Sequence, residues 1–164
     1  RGIVMNEIQV KKIINPDKNI INIMVDWMRN WWLQEYDNID TRKEVESYIT
    51  HSFQEDRLPQ TYGLFLNNKI IGMYQFSYND LDSRPDIYPW VCNVYIDKEY
   101  RNQGYGKIMM DSIMENARKN LDFKEVYLFT KHIGFYEKFG WKYISDIDTF
   151  KASPRIQRLY KLDL

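Results

Sequence analysis

The sequence predicts a mixed α/β (α+β) fold, a central sheet of about seven strands with helices on its faces. Three observations carry that expectation. The apolar and aromatic run over residues 91–96 has the composition of a strand buried on both faces. A charged turn at 97–101 and a glycine-bearing one, Asn102-Gln103-Gly104-Tyr105-Gly106, lead from it into an amphipathic stretch of helical period at 107–119. The remaining segments extend the order to strand, helix, helix, three strands, helix, strand, helix, strand, strand.

Taken in order, residues 7–14 alternate loosely, with Ile8, Val10, Ile13 and Ile14 apolar, and read as the first strand. Asn15-Pro16 closes it and opens a helix, Asn as cap and Pro at the first helical position. Ile20, Ile23, Met24, Trp27, Met28 and Trp31 then keep the helical period. A second helix carries a capping-box signal, Thr41 with Glu44, an apolar face of Val45, Tyr48, Ile49 and Phe53, and an end at Leu58-Pro59. Strands at 61–66 and 69–77 are joined by Asn67-Asn68, two residues that tolerate positive φ, so a tight hairpin is expected. Residues 79–85 form a polar loop, with Asp80, Asp82 and Asp86 in it or just past it. The central strand spans 88–96, and the helix after it presents Tyr105, Ile108, Met109, Ser112 and Ile113 on one face. A short strand at 125–130, a short helix at 134–139 ended by Gly140, and strands at 141–147 and 157–162 complete the chain.

The 164 residues show no repeat, low-complexity tract or linker, so one domain over 1–164 is expected; residues 1–4 read either as native or as an expression remnant. A formal net charge of +0 gives no global field toward nucleic acid or an anionic membrane. The single cysteine, Cys92, excludes an internal disulfide and a zinc cluster, and no metal site is expected. With no apolar run of membrane-spanning length and no visible signal peptide, a soluble cytoplasmic protein is expected, as monomer or homodimer.

A strand running through glycines into a helix makes an anion site, because the first-turn N–H groups lack partners and the helix dipole favours negative charge. Gly104 and Gly106 let backbone approach a bulky anion. The turn lacks the Lys-Ser/Thr of a Walker loop, and Met109 stands where a dinucleotide fingerprint needs its third glycine.

What remains, Arg101-x-x-Gly104-x-Gly106 after a strand, resembles the pyrophosphate turn of the GNAT family of N-acetyltransferases. Pro89-Trp90 leading into Val94-Tyr95-Ile96, and the downstream Phe135-Tyr136-Glu137-Lys138-Phe139-Gly140-Trp141, extend the similarity; the regions of Trp27, Trp31 and Trp32 and of Leu128-Phe129-Thr130 are similar to a bacterial branch. The resemblance implies a splayed sheet in which the parallel strands 88–96 and 125–130 part around the pantetheine arm of acetyl-CoA. It implies that backbone of Val94, Tyr95 and Ile96 pairs with the pantetheine amides. Amides of Gln103, Gly104, Tyr105, Gly106 and Lys107 would hold the pyrophosphate, with a charge-assisted contact from Arg101. A backbone N–H near Val94 would face the thioester carbonyl as oxyanion donor.

Acetyl transfer to an amine needs a neutral amine, a stabilised oxyanion and a provision for the leaving thiolate. Tyr136 matches the family tyrosine beside the cofactor sulfur, as general acid or as a positioning group. The central strand has no Glu to act as base. Asp86 is the expected catalytic carboxylate, with Asp80, Asp82 and a water chain as alternatives. His132, where many members carry Asn, is a cofactor contact or a surface residue, and His51 is expected to be exposed. Cys92 reads either as an acetyl-carrying nucleophile or, more simply, as a small buried residue. Trp27 and Trp31 read as core. Trp32 and Tyr36 would line an acceptor pocket, with Asp26, Glu35 and Asp37 attracting an amine. The expected activity is acetyl-CoA-dependent N-acetylation of a small-molecule primary amine by direct transfer. The alternatives are a peptide or protein acetyltransferase acting on lysine or an N-terminus, and a non-catalytic acyl-CoA-binding module.

Overall fold

A computed structural model describes residues 6–31 and 39–164, with side-chain positions from Thr41 onward in the second stretch. Trp32, Glu35, Tyr36 and Asp37 lie outside the described residues. The elements run β1 (Ile8–Lys12), α1 (Lys18–Trp31), α2 (Ile39–Thr50), β2 (Gln60–Leu66), β3 (Lys69–Ser77), β4 (Trp90–Ile96), α3 (Tyr105–Asn120), β5 (Glu125–Thr130), β6 (Lys142–Asp148) and β7 (Ile156–Asp163). Short 3-10 turns lie at Lys98–Tyr100 and Tyr136–Phe139. The strands are hydrogen-bonded in the order β1-β2-β3-β4-β5-β7-β6, a mixed seven-stranded sheet. No helix among the described residues is long and apolar enough to cross a membrane.

The chain divides into two compact units, Arg1–Gln75 with Asn93–Met109, and Phe76–Cys92 with Met110–Leu164. In the first unit β1 pairs antiparallel with β2, Ile8 opposite Leu66 and Lys12 opposite Tyr62. The Asn67-Asn68 turn forms as expected, both residues at positive φ (49° and 66°), which suits a two-residue hairpin. Helix α1 starts later than Asn15-Pro16 suggests. Asn15 takes φ 52°, outside the extended region a cap needs, and Asp17 caps instead, its Oδ1 accepting from Ile20 N at 2.9 Å. Thr41 lies inside α2 rather than at its cap. That helix also stops well before Leu58-Pro59: His51 N donates to Ser47 O, and Ser52 Oγ donates to the Tyr48 carbonyl, so side chain and turn satisfy the helix-end carbonyls. The core gathers Met24, Trp27 and Met28 of α1, Val45 and Ile49 of α2, and Phe65, Ile70, Met73 and Tyr95 of the strands. Each such side chain, fully buried, contributes about 1.5–3 kcal/mol. Trp31 departs from its helical stripe; it is 47% exposed and leans on Tyr95 with ring centroids 5.6 Å apart.

In the second unit β5 pairs antiparallel with β7 along its whole length, Glu125 opposite Asp163 and Thr130 opposite Arg158. β6 follows β7 antiparallel, with a bulge between Tyr143 and Ser145. A core of Leu81, Ile87, Trp90, Ile147 and Leu159 lies here. The short helix expected at 134–139 is a 3-10 turn: Gly134 takes φ 86°, which delays the start to Tyr136, while Gly140 ends it in the left-handed conformation as expected. The central strand is buried on both faces only at Trp90, Val91 and Cys92; Asn93, Val94 and Ile96 are half-buried. Helix α3 buries Met109, Met110, Ile113 and Ala117, whereas Ile108, read as part of its inner face, is 38% exposed.

Candidate functional site

In the first unit β4 ends at Ile96 and the chain turns at once. Asp97 fixes the exit: its N–H donates to Ile71 O at 2.8 Å, and its Oδ1 accepts from Glu99 N at 3.2 Å to cap the 3-10 turn. Gln103 Nε2 then bonds Glu99 O at 3.0 Å and ties the far side of the turn back to it. Asn102 (φ 61°) and Gly104 (φ 88°) take left-handed conformations that aim the chain into α3. A Cβ built on Gly104 meets nothing within 4 Å. Among the described residues no loop or side-chain acceptor bonds the N–H of Gln103, Gly104, Tyr105 or Gly106, and first-turn N–H groups have no acceptor inside the helix. Lys107 is exposed on that turn. N–H groups without loop or side-chain acceptors, a helix N-terminus and open space over a glycine are the features of an anion site.

Arg101 behaves differently from the expectation of a pure phosphate contact. Its Nε donates to Ile96 O at 2.8 Å, and its guanidinium lies 5.0 Å from the Tyr95 ring centre. It therefore braces strand to turn while its remaining N–H groups are still able to meet an anion. Tyr95 is 6% exposed, so it reaches the site through its backbone. β4 pairs with β5 in parallel at one position, Trp90 opposite Tyr127. Asn93 breaks the strand geometry with φ 51° just before Val94.

Asn93 also ends a polar chain that sequence reading missed. Thr61 Oγ1 donates to Ser52 O (2.7 Å), Gln75 Nε2 to Thr61 Oγ1 (2.9 Å), Asn93 Nδ2 to Gln75 Oε1 (2.6 Å) and Tyr48 Oη to the same oxygen (3.1 Å). Ser52, Thr61 and Gln75 are buried, at 1%, 0% and 0% exposure. Gln75 between the apolar Tyr74 and Phe76 was the available signal, since a glutamine inside a buried strand needs partners.

In the second unit Tyr136 opens its 3-10 turn at 8% exposure, its ring edge-on to Phe135 and Trp141. Its hydroxyl bonds no other group among the described residues. Burial, then the neighbouring Tyr160, pushes the phenol up to about 12. His132 is exposed; its N–H donates to Thr130 Oγ1 at 3.1 Å. His51 is exposed, as expected, and Cys92 is buried, which disfavours the thiolate that an acetyl carrier needs.

The carboxylates of the 79–86 segment separate sharply. Asp86 is exposed and gripped by Arg84 through two 2.9 Å bonds. That charge-assisted pair holds its carboxyl below the usual range, so Asp86 is a poor proton acceptor at neutral pH. Asp80 is half-buried rather than solvated, and burial, then the charge of Asp82, pushes it up to about 8. The cause is legible in retrospect: Leu81 and Ile87 both enter the core and draw the loop inward. A carboxyl raised from about 4 stabilises the fold when neutral. That contribution is complete below its unfolded value and is lost as pH rises toward about 8. Asp80→Asn should therefore raise the melting temperature at pH 8 and flatten its pH dependence between about 4 and 8. Melting curves of the two proteins across that range check this.

The profile described as "Acetyltransferase (GNAT) family" matches residues 25–141. Solved structures share the fold. An aminoglycoside 6'-N-acetyltransferase complexed with coenzyme A superposes with TM-score 0.69 at 11% identity, covering 94% of this chain and 96% of that one. A GNAT family acetyltransferase from Elizabethkingia anophelis with acetyl-CoA bound gives 0.61 at 16% identity, covering 96% and 98%. A GNAT acetyltransferase from Streptococcus pneumoniae gives 0.67 at 17% identity, covering 96% and 99%. The first of these is described with coenzyme A and the second with acetyl-CoA. With a profile match over residues 25–141, most of its length, this chain belongs to the GNAT family of acetyltransferases.

Proposed function

We propose that the protein transfers the acetyl group of acetyl-CoA to the primary amine of a small molecule, directly and within a ternary complex. The observation that supports this is the turn after β4, where the N–H groups of Gln103, Gly104, Tyr105 and Gly106 have no loop or side-chain acceptor among the described residues and open space lies over Gly104. Two aminoglycoside acetyltransferases among the structural neighbours support N-acetylation.

Acetyl-CoA supplies an activated thioester when bound. Backbone donors of residues 103–106 would hold the diphosphate, and Val94–Ile96 would offer strand backbone to the pantetheine amides. Asn93 takes φ 51° just before Val94, whose N–H we assign to the thioester oxygen as oxyanion donor. Tyr136 is the phenol we assign to the sulfur. A phenol near 12 facing a thiol of about 8.5 is uphill for full proton transfer by roughly 5 kcal/mol, so Tyr136 acts as a hydrogen-bond donor that stays protonated. Of the loop carboxylates Asp80, rather than Asp86, has the basicity to take a proton from an ammonium.

The test is CoA release, read with a thiol reagent, against spermidine, kanamycin, tyramine, free amino acids and a lysine peptide. At least one small amine should give CoA and acetylated amine in equal amounts. Release with the peptide alone would replace the small-molecule reading with the peptide one. Release without acetylated product would replace transfer with hydrolysis.

A further inference from the structure

The Tyr136 hydroxyl bonds no group among the described residues, so no bond at its tip sets its direction. That direction must come from the backbone that carries it and from the rings around it, and β7 reaches both. Tyr160 is fully buried, and its ring lies 5.9 Å from that of Tyr136. Arg158 Nε donates to Tyr160 Oη at 2.8 Å; a guanidinium can only donate, so the phenol oxygen accepts there. The single Tyr160 proton goes to Glu137 Oε1 at 2.5 Å, with the His132 carbonyl farther off at 3.5 Å. Arg158 is itself held. Its guanidinium lies over the Tyr143 ring, 3.9 Å from the centre, and its Nη2 is 3.6 Å from the same Glu137 oxygen.

The line of donation therefore runs one way, Arg158 to Tyr160 to Glu137, and ends on a carboxylate. Glu137 directly follows Tyr136 in the 3-10 turn. The Tyr160 hydroxyl, then the N–H groups of Glu137 itself and of Gly134, and the Arg158 charge hold its carboxyl below the usual range, against the opposing effect of burial. Those two N–H groups stand on either side of Tyr136 in the chain. One carboxylate thus faces backbone before and after Tyr136, and two β7 side chains keep it there.

A phenol that stays protonated helps a leaving thiolate only through a hydrogen bond, and such a bond weakens steeply with misalignment. A misplacement of about 1 Å costs up to about a hundredfold in rate. We propose that Glu137, held by Tyr160 and Arg158, is a positioning residue that sets the direction of the Tyr136 hydroxyl. This rests on the role assigned to Tyr136 in the proposed function and names the residues that make it effective. Glu137 takes up no proton in this role; it acts through the turn.

The test makes Tyr160→Phe and Glu137→Ala, each in the wild-type protein and in Tyr136→Phe. Tyr160→Phe keeps the buried ring and removes only the hydroxyl. Glu137 is exposed, so its truncation leaves no core cavity. kcat, both KM values and melting temperature are measured with the best amine of the panel above. In the wild-type background each substitution should lower kcat roughly 5- to 30-fold, with both KM values within about twofold. In the Tyr136→Phe background the same substitutions should change kcat by less than about twofold, because no hydroxyl is left to align. General loosening of the fold would lower kcat in both backgrounds alike. Equal losses in the two backgrounds, or no loss in the wild-type one, overturn the inference while leaving Tyr136 and acetyl transfer standing. If Tyr136→Phe alone leaves kcat unchanged, the role of Tyr136 and this inference fall together, and acetyl transfer is still judged by CoA release.

Discussion

Gly104→Asp should weaken acetyl-CoA binding by at least a hundredfold and leave the protein folded. Gly104 is exposed at φ 88°, with open space where a side chain would go, and Asp is among the few residues that accept left-handed backbone. The substitution therefore costs little in packing. It places a carboxylate over the donors that the diphosphate would use. Two like charges about 4 Å apart repel by about 1 kcal/mol in water and about 4 kcal/mol at an effective dielectric of 20. A diphosphate carries more than one charge, so a loss of two to three powers of ten follows. Gly104→Asn is the matched control, with the same shape and no charge, and should lose roughly tenfold at most. Acetyl-CoA KM and melting temperature of both variants decide it. Equal losses in the two would mean that shape, not charge, governs the turn.

Tyr136→Phe should lower kcat on the order of a hundredfold, with KM for acetyl-CoA and amine little changed. The hydroxyl bonds no group among the described residues, so its removal leaves no stranded partner, and the ring keeps its contacts with Phe135 and Trp141. The melting temperature should move by only a degree or two. Because burial holds the phenol near 12, wild-type activity should show no alkaline limb from this residue below about pH 11. A loss of kcat in the Tyr136→Phe variant that traces to unfolding, or a wild-type limb at pH 9–10 that the substitution removes, would reassign the role.

How much of this is visible in the residues divides along physical lines. β5 lies at the bounds its residues indicate, and the Asn67-Asn68 hairpin forms as expected, because β-branched and aromatic strand residues and positive-φ asparagines act locally. The glycine turn is legible for the same reason: Gly104 serves a backbone conformation that few other residues adopt. Boundaries fail where a nearby side chain competes with the expected signal, as Asp17 does with Asn15 and Ser52 with Pro59. The catalytic periphery is least legible because it depends on burial and pairing. Asp80 and Asp86 look alike in the chain, yet one is drawn inward beside Leu81 and the other is clasped by Arg84. Likewise Tyr48, Gln75 and Asn93 come from three separate elements, and only folding makes them one chain of hydrogen bonds.

The most direct measurement is calorimetric titration of the wild-type protein with acetyl-CoA and, in parallel, with S-acetylpantetheine, which carries the same thioester without the diphosphate. If main-chain donors of residues 103–106 grip that diphosphate, acetyl-CoA binds with micromolar affinity and the truncated thioester at least a hundredfold more weakly. Equal affinities for the two, or no heat from acetyl-CoA at millimolar concentration, would contradict the assignment of this turn.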